Sequence, residues 1–585
     1  MQTLAEDISR KILSKEIDKD EAMRLYKSLE KDAQAQVMAT VRSLGGSMSP
    51  SSNGVKSRKS DNKLMKTVDQ RDLTEQHRAY IGNIIERYDR FVPKSKENVL
   101  RHQAHFVDQR RAFHLIKDLK KLHFQITYTA AEGAYVHDID GNKYIDISGD
   151  MGVNLFGHRA PFLIDAVKKS LDQGIPLVGY SDMIFQACQL FCEITGHERT
   201  LFTQSGTEAV MFAVRIARAA TGRSKIVLFD GAYHGLSDAV AATKDMNGNS
   251  FPIAPGILQE FADQIIVLDY GDMKSLDIIE QHAGTIATVL VEPVQSRHPY
   301  KQPVEFLKAL RQLTIEKNIP LIFDEMITGF RVCPKGAQGR FGIQADMATY
   351  GKVPGGGLPT GVIAGAAKYM DLIDGGTWRF DDDSMPSSKR TGMAGTHSQN
   401  PLKIAAALAV LGEIKKRCGD DVQSCDGCTC FQRTLNEKTT RLADTLNAFF
   451  GEERLPVIID TFGSLFRFRF VDSYWGVTEA LFFILLRMEG VETNIQGNCF
   501  LTTAHTDEDI EAVIAGVKAS MSNLKRSGLF REPDEEPMQD TAPLPEITAF
   551  ARPQSSNTSP HNEMERLKAL LAADLGLAEE SGSLR

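Results

Sequence analysis

The chain has 585 residues, of which 42% are hydrophobic and 25% are charged, and these proportions are typical of globular proteins. A length of this order allows about two to four domains. The formal net charge of −8 argues against a nucleic-acid partner, because no basic field is available to attract phosphates.

Three further features of the sequence bear on where the protein works. The first residues lack the positive region and the apolar stretch of a secretory signal. The longest apolar runs are far shorter than the ~20 residues that cross a bilayer. The chain contains eight cysteines, which in a protein of this length suggests reduced thiols rather than a disulfide framework. We therefore expect a cytoplasmic protein with no membrane partner.

The first 130 residues predict three segments outside any α/β core. Residues 1–45 place apolar side chains at helical spacing and predict a helical pair. Residues 46–70 are rich in Gly, Ser and Lys and predict a flexible linker. Residues 71–130 predict an N-terminal helical segment, because a helical and charged pattern runs from Leu73 to Leu122. Its charged residues are typical of a solvated helix face.

Residues 131–400 have the pattern of a large α/β domain. A hairpin at 131–150, with a glycine in its turn, opens this domain. Helical stretches then separate a series of strands, which are predicted near residues 226–230, 265–269, 286–292 and 320–324. This alternation predicts a mostly parallel sheet with helices on both faces.

The remaining residues predict a second, smaller domain and a tail. Residues 401–527 combine helices and strands and predict an α+β domain. Its elements are expected at residues 404–414, 464–470, 477–488, 499–503 and 507–524. Residues 528–585 are rich in Pro, Glu and Ser and predict a mostly disordered tail with a terminal helix.

A candidate phosphate site lies at the start of an amphipathic helix in the large domain. Ser205, Gly206 and Thr207 lead into this helix, whose apolar residues keep helical spacing. The first turn of a helix has unpaired N–H groups and a favourable dipole, and both bind anions. The alternative interpretation is that Ser205 and Thr207 only cap the helix.

Two residues are suited to hold a flat aromatic ring. Tyr233 lies in a glycine-flanked turn after a predicted strand, where it can stack on a ring or take part in ordinary packing. Asp324 ends a short buried strand, and open α/β sheets place their ligands at the carboxyl ends of parallel strands. A carboxylate at that position can contact a ligand held against the tyrosine.

Lys352 follows Gly351 and precedes a run of Gly and Pro at 353–359. Such a run marks an ordered turn rather than a helix or strand interior. If a pocket lowers its pKa, the free amine can form a Schiff base with a carbonyl group. The alternative is a surface lysine on a turn. Pyridoxal 5′-phosphate (PLP) requires a Schiff-base lysine and an acid that contacts its pyridinium nitrogen. Lys352 and Asp324, together with the candidate phosphate site and Tyr233, therefore predict a PLP site.

Four cysteines are close in sequence in the C-terminal domain, at Cys418, Cys425, Cys428 and Cys430. This spacing allows a zinc site. A structural zinc site brings a second well-spaced pair or a nearby histidine, and neither is present. The pattern therefore favours a surface loop of reduced thiols between two helices, and we predict no metal.

The motifs, taken in order, resemble those of the class III aminotransferases of fold-type I. This family includes ornithine and ω-amino-acid aminotransferases and glutamate-1-semialdehyde aminomutase. The matching stretches are residues 205–209, 233–235, 291–295, 323–331, 351–357 and 395–401. The resemblance implies a fold-type I PLP-dependent transferase with a mostly parallel seven-stranded sheet and a smaller C-terminal domain. It also implies a homodimer.

The resemblance assigns catalytic roles to two residues. Lys352 would hold the cofactor covalently and would also move the proton during catalysis. Asp324 would keep the pyridine nitrogen of the cofactor protonated. The resemblance is less specific about the residues that face the substrate. These are Asn154, Glu292 and Arg331. A structural role at the strand end remains open for Glu292, and a salt bridge within the fold remains open for Arg331.

Further residues would contact the cofactor through its phosphate or its ring. They are Ser205, Gly206, Thr207, Tyr233, His234, Gln295 and Thr396. The resemblance implies that Thr396 reaches the phosphate from the other subunit and that Tyr233 stacks on the ring with His234 beside it. Gln295 would bond the ring hydroxyl.

The N-terminal helical pair and linker resemble the docking segments between modules of bacterial polyketide synthases. The alternative is a helical extension without that role. Together with the enlarged segment 71–130, they make the chain most similar to aminotransferase domains of hybrid polyketide–nonribosomal peptide synthetases of the mycosubtilin type. This similarity implies an amino-acid donor and a ketone or aldehyde acceptor, a β-ketoacyl group on an acyl carrier protein.

Three alternatives stay open at the level of sequence. The same site could exchange an amino group within one molecule, as in glutamate-1-semialdehyde 2,1-aminomutase. It could also be a free ω-amino-acid aminotransferase with an irrelevant extension. The third alternative is a scaffold with an inactive cofactor site, and the intact Lys352 and Asp324 argue against it.

Overall fold

The structure is a computed structural model that describes residues 73–110, 115–419, 430–471, 476–493 and 497–530. The chain divides into two units, Met1–Asp61 and Asn62–Arg585, and all described residues belong to the second. The predicted helical pair, the linker and nearly all of the predicted tail lie outside the described residues.

The secondary structure of this part of the chain alternates between strands and helices. The helices are α1 (Glu75–Phe91), α2 (Pro93–His102), α3 (Pro161–Asp172), α4 (Asp182–Thr195), α5 (Gly206–Thr221), α6 (Gln259–Ala262), α7 (Lys274–Gln281), α8 (Val304–Glu316), α9 (Gly336–Phe341), α10 (Ala367–Asp374), α11 (Pro401–Cys418), α12 (Phe431–Glu452), α13 (Val477–Met488) and α14 (Asp507–Arg526). Short 3₁₀ segments lie at Lys117–Leu122, Asp238–Val240 and Val353–Gly355.

The strands are numbered in the same way. They are β1 (Tyr128–Glu132), β2 (Tyr135–Asp138), β3 (Lys143–Asp146), β4 (Arg199–Thr203), β5 (Lys225–Phe229), β6 (Ala242–Lys244), β7 (Ser250–Pro252), β8 (Ile265–Leu268), β9 (Ile286–Val291), β10 (Leu321–Asp324), β11 (Met347–Gly351), β12 (Gly361–Gly365), β13 (Val457–Phe462), β14 (Leu465–Phe470), β15 (Val491–Glu492) and β16 (Asn498–Phe500).

The large sheet has seven strands in the order β4-β12-β11-β10-β9-β5-β8. All neighbouring pairs are parallel except those that β12 makes with β11 and β4. The central strands β9, β10 and β11 are buried at every position, as expected for a sheet covered on both faces. The prediction of a mostly parallel seven-stranded sheet is confirmed.

The order of these strands positions the candidate site. β9, β10 and β11 are adjacent and parallel, so their carboxyl ends lie at one edge of the sheet. Glu292, Asp324 and Lys352 lie at these three ends. Open sheets bind ligands at this edge, and three residues that are distant in sequence are brought together there.

Within the segment predicted to be helical, α1 and α2 together extend from Glu75 to His102. Thr74 caps α1, because its hydroxyl accepts the N–H of His77 at 3.1 Å, and Pro93 opens α2 at a position where a missing N–H costs little. Beyond α2 the described residues form turns and the 3₁₀ segment. Phe106 and Val107, shortly after α2, are 67% and 91% exposed, whereas Leu119 and Leu122 of the 3₁₀ segment are buried.

The second, smaller layer combines segments from both ends of the described chain. The antiparallel strands β1, β2 and β3 are joined by β15, which runs parallel to β3. β13, β14 and β16 form a separate antiparallel sheet, and α13 and α14 pack together beside these elements. No helix of the described residues is long and apolar enough to span a membrane.

A buried ion pair joins the N-terminal helices to this layer. The guanidinium of Arg487 donates from Nε to Glu492 Oε2 at 2.6 Å and from a second nitrogen to Oε1 at 2.8 Å. Its third nitrogen donates to the hydroxyl of Tyr88 on α1 at 2.6 Å. Removing one member of a buried pair leaves the other charge without compensation.

We therefore expect Arg487→Leu to lower the free energy of unfolding by about 3–5 kcal/mol. Equilibrium urea unfolding of the purified protein measures this change. The matched control is Arg433→Leu, which breaks an exposed pair with Glu437 within α12. That control is expected to cost less than about 0.5 kcal/mol. Equal effects of the two substitutions would contradict the assignment of Arg487 and Glu492 as a buried ion pair that stabilises the fold.

The cysteines depart from the expectation of reduced thiols at one position, because Cys333 is disulfide-bonded. Cys188, Cys192 and Cys499 are free. Of the four clustered cysteines, Cys418 and Cys430 are buried, whereas Cys425 and Cys428 lie outside the described residues. The described residues contain no group of three or more potential ligands placed to hold a metal ion.

Candidate active site

Asp324, at the end of β10, is the buried acid at the centre of the site. Its Oδ2 lies 2.7 Å from Nδ1 of His234, and its Oδ1 accepts the Thr349 hydroxyl and the Met326 N–H, each at 3.2 Å. Thr349 is the register partner of Asp324 on the parallel strand β11. These contacts fix the orientation of the carboxylate at the strand end.

Lys352 follows β11 directly and has an unusual backbone conformation, with φ 58° and ψ −97°. A positive φ at a non-glycine residue is strained, and such strain concentrates at functional sites. The amine Nζ donates to the carbonyl oxygen of Met151 at 2.7 Å. Burial lowers the pKa of Lys352 to about 8 against the opposing charges of Glu292 and Asp324, and the positive charge of Arg331 acts in the same direction as burial.

The residues predicted to bind the phosphate form a tight cup at the start of α5. Ser205 is the N-cap, and its hydroxyl accepts the N–H of Glu208 at 3.2 Å, which is the capping role left open by the sequence. The Thr207 hydroxyl accepts the N–H of Leu236 at 3.4 Å. A Cβ at Gly235 would lie 2.6 Å from Thr207 Oγ1. Only glycine therefore allows this close approach.

Tyr233 and Glu292 are linked through the backbone. Glu292 Oε2 accepts the N–H of Tyr233 at 3.1 Å, and Glu292 Oε1 accepts the N–H of Ser296 at 3.4 Å. Burial raises the pKa of Glu292. The Tyr233 ring is 42% exposed, and the Arg297 guanidinium lies 5.4 Å from its centroid. Glu292 thus has the contacts of a residue that holds the tyrosine turn in place.

Two buried polar atoms at the site have no hydrogen-bond partner among the described residues, His234 Nε2 and Gln295 Oε1. The amide nitrogen of Gln295 donates to the carbonyl oxygen of Asp230 at 2.8 Å. Unpaired buried polar atoms are costly and require an explanation. A polar, flat ligand against Tyr233, with an anionic group at the α5 cup and a cationic nitrogen at Asp324, fits these residues.

Arg331 is enclosed by other residues of the fold. It is fully buried, and its guanidinium donates to the Ser464 hydroxyl at 3.0 Å and to the carbonyl oxygens of Gly152 at 2.9 Å and Leu501 at 3.2 Å. These contacts are within the fold, although they go to carbonyls and a hydroxyl rather than to the carboxylate of a salt bridge.

Asn154 and Thr396 occupy different surroundings. The Asn154 amide nitrogen donates to Asp150 Oδ2 at 2.6 Å and lies 3.1 Å from His158 Nδ1. Thr396 is exposed, in the long segment between α10 and α11. Asn154 therefore lies in the turn next to Lys352, whereas Thr396 faces outward from the protomer.

Sequence reasoning missed three contributors to this site. The Thr349 hydroxyl reaches Asp324 because β10 and β11 are in parallel register, and no strand was predicted at the position of β11. Arg297 over Tyr233 was a charged residue close to a matching motif. The Met151 contact uses a backbone carbonyl, for which the sequence carries no signal.

Comparison with known proteins identifies the family. The sequence model described as aminotransferase class III matches residues 117–456, more than half of the chain. A glutamate-1-semialdehyde 2,1-aminomutase from Legionella pneumophila (strain Lens) is 31% identical over 420 residues, which cover 68% of this chain and 92% of that protein. The chain belongs to the class III aminotransferases.

The aminotransferase also shares its fold with solved structures. A β-phenylalanine aminotransferase from Variovorax paradoxus is 27% identical, with a TM-score of 0.63, and covers 77% of this chain and 98% of that chain. An ω-transaminase from Sphaerobacter thermophilus is 24% identical, with a TM-score of 0.65, and covers 74% and 98%. The predicted fold-type I architecture is confirmed, and the aminotransferase is a PLP-dependent enzyme.

The phosphate cup of the aminotransferase can be tested with Gly235→Ala. The new Cβ would contact Thr207 Oγ1 and would strain a residue at φ +88°. We expect weaker PLP binding, measured by titrating the apoenzyme, and a loss of about 1–3 kcal/mol of stability. Gly222→Ala is the matched control, because that residue ends the same helix at φ +68° with nothing within 4 Å. The control should keep the PLP affinity.

The pKa of Lys352 predicts a pH dependence in the apoenzyme. Labelling by an amine reagent, quantified by peptide mass spectrometry, should have its midpoint at a pH of about 8 rather than near the ordinary value of 10.5. Between these two values the unfolded chain binds more protons at this site, so the contribution of Lys352 to the free energy of unfolding rises with pH. A midpoint at the ordinary value would contradict the burial of this amine.

Proposed function

We propose that Lys352 binds PLP covalently and that the enzyme moves an amino group from an amino-acid donor to a β-ketoacyl or aldehyde acceptor on a carrier protein. The observation that carries the catalytic part is the placement of an amine of lowered pKa and a hydrogen-bonded buried acid on neighbouring strand ends. The family membership supports the reaction class. The carrier-bound acceptor is supported by the resemblance of the N-terminal helical pair and linker to the docking segments of polyketide synthases.

The cofactor would be held by residues from five parts of the large domain. Lys352 would form the covalent link, Asp324 would contact the ring nitrogen, and the start of α5 would bind the phosphate. Tyr233 would pack on the ring, and Gln295 would supply an amide to the ring hydroxyl. His234 would keep Asp324 oriented, because its Nδ1 lies 2.7 Å from Asp324 Oδ2.

PLP supplies an electron-withdrawing ring that acidifies the Cα–H bond of a bound amine. The protein must then hold and move one proton. An amine with a pKa of about 8 exchanges its proton readily near neutral pH, so Lys352 is suited to act as general base and general acid. Thr349 and Met326 hold the Asp324 carboxylate in place, which keeps its oxygens directed to where a positive ring nitrogen would lie.

The acceptor assignment rests on residues 1–130. The helical pair and linker predicted for residues 1–70 lie outside the described residues, and α1 and α2 add a helical layer beside the smaller sheets. Docking segments of this kind bring a tethered substrate to an enzyme at high effective concentration. A carrier-bound β-ketoacyl thioester is the acceptor that such an arrangement favours.

Incubation with PLP, an amino-acid donor and a β-ketoacyl carrier protein tests this assignment. Intact-protein mass spectrometry should detect the β-amino product on the carrier. A variant lacking residues 1–70 should lose turnover with the carrier-bound acceptor and retain it with a free keto compound. Turnover with free ω-amino acids alone would overturn the carrier assignment.

We also propose that the active enzyme is a homodimer in which Thr396 binds the phosphate of the opposite site. The exposure of Thr396 in the protomer leaves it available to a second copy. Sedimentation velocity measures the oligomeric state. Mixed dimers of Lys352→Ala and Thr396→Ala chains should regain one competent site, because both defects would then fall on the same site and leave the other intact.

The second candidate is an aminomutase, and one observation favours it. The 31% identical relative carries the name glutamate-1-semialdehyde 2,1-aminomutase. An aminomutase would convert a single amino-aldehyde without a separate donor or acceptor. Conversion of such a compound by the cofactor-loaded enzyme alone, followed by chromatography, would select this candidate over the aminotransferase.

A further inference from the structure

Arg331 is a buried cation whose hydrogen bonds go to neutral groups. The three residues that it joins most closely are Ser464, Leu501 and Gly152, and a fourth contact, 3.5 Å long, reaches the carbonyl oxygen of Asn154. Its carbon Cζ lies 4.9 Å from the centroid of the Phe500 ring. Burying a charge without a counter-ion is unfavourable. A fold that keeps such a residue gains something other than stability from it.

The segment that Arg331 holds is a strained turn. Asp150 and Met151, both non-glycine residues, have φ values of 49° and 58° in succession. L-residues avoid this left-handed conformation. Glycines flank the pair, and an added Cβ would lie 3.3 Å from Phe500 at Gly149 and 3.0 Å from it at Gly152. The turn therefore sits directly on Phe500 and is fastened by the Arg331 bond to the Gly152 carbonyl.

The same turn contacts the lysine amine. The carbonyl oxygen of Met151 accepts the hydrogen bond from Lys352 Nζ at 2.7 Å, and Met151 lies next to Gly152. A continuous path of contacts thus runs from Ser464 and Leu501 in the smaller layer, through Arg331 and the turn, to Lys352 in the large domain.

We propose that Arg331 is a positioning residue that holds the 149–154 turn in its left-handed conformation, so that the Met151 carbonyl orients the Lys352 amine. Arg331 then acts through the turn and does not bind the substrate. This inference uses the role proposed for Lys352, but its central step, control of the turn, is a property of the protein without substrate.

The charge of Arg331 has a second effect on Lys352. Burial is the larger cause of the lowered pKa of Lys352, and the nearby Arg331 cation adds to it, whereas Glu292 and Asp324 oppose it. Replacing the arginine by a neutral residue should therefore raise this pKa.

Hydrogen exchange of the apoenzyme tests the proposal. Arg331→Lys keeps a hydrogen-bond donor at the end of the side chain but loses the planar fork that reaches several carbonyls at once. We expect amide exchange within residues 149–154 to accelerate about tenfold in this variant, because the local opening free energy falls. The matched control is Arg467→Lys, on β14, whose side chain bonds Asn498 on the neighbouring strand β16. It should leave exchange in the turn unchanged.

The pH dependence of Lys352 labelling in the same apoenzymes supplies the second readout. The midpoint should move upward in Arg331→Gln, because the positive charge near Lys352 is lost. If Arg331→Gln does not fold, the exchange result for Arg331→Lys decides alone. Wild-type exchange rates in the turn of Arg331→Lys would overturn the proposal. Borohydride trapping of PLP on wild-type Lys352 tests the role of the lysine separately, so the two failures are distinguishable.

Discussion

Lys352→Ala is expected to lower turnover by about 10⁴-fold or more, because it removes both the covalent link to PLP and the group that moves the proton. The variant should still fold, since the amine of Lys352 bonds a backbone carbonyl, that of Met151, rather than a charged partner. Borohydride treatment of the PLP-loaded wild-type enzyme, followed by peptide mass spectrometry, should detect a pyridoxyl group on the peptide that contains Lys352.

Lys403 provides an internal control for this experiment. It is also buried, its amine donates to the carbonyl oxygen of Thr203 at 2.7 Å, and burial lowers its pKa to about 8. A low pKa alone would therefore make both lysines reactive. We expect the pyridoxyl group on Lys352 and not on Lys403, because Lys352 lies at the strand end beside Asp324. Labelling of Lys403 instead would refute the proposed site.

Asp324→Asn is expected to lower turnover by about 10³-fold, because a preorganised charge opposite the ring nitrogen is lost. The amide keeps the size of the side chain, and the Thr349 and Met326 contacts can persist on its oxygen. Steady-state kinetics and the absorbance spectrum of bound PLP measure the effect. A spectrum and a turnover number equal to those of the wild type would remove Asp324 from the mechanism.

The neighbouring carboxylate, Glu325, gives the contrasting result. It is buried on the other side of the backbone, where it accepts N–H groups from Ala337 at 3.0 Å and Gln338 at 2.8 Å and the Thr328 hydroxyl. Burial raises its pKa to about 7. Glu325→Gln should cost about 1–3 kcal/mol of stability by disturbing these donors. Turnover per folded molecule should remain close to the wild-type value.

The sequence was most informative where local pattern and burial agree. The strands β9 and β10 are apolar at almost every position, and such runs identify central parallel strands. The start of α5 was equally clear, because Ser205 and Gly206 precede an amphipathic helix. These two strands and the start of this helix could therefore be placed from the sequence alone, whereas β11, which leads into the Gly- and Pro-rich turn of Lys352, was not predicted.

Features that depend on tertiary contact could not be predicted in this way. The pairing of Asp324 with His234 and Thr349 needs the order of the strands, and the role of Arg331 needs the position of Phe500 and Ser464. A helical pattern persists beyond His102 in the sequence, yet the described residues form turns there and place the buried Leu119 and Leu122 on a 3₁₀ segment. Tertiary packing overrides helix propensity at such positions.

The pairing of β15 with β3 has a consequence for biosynthesis. β3 leaves the ribosome early, whereas Val491 and Glu492 of β15 are made far later. At typical rates of translation the interval is on the order of half a minute. During that time the nascent sheet has an open edge, and open edges invite pairing with other chains. Successful production therefore depends on protection of the β1–β3 sheet until β15 has been synthesised.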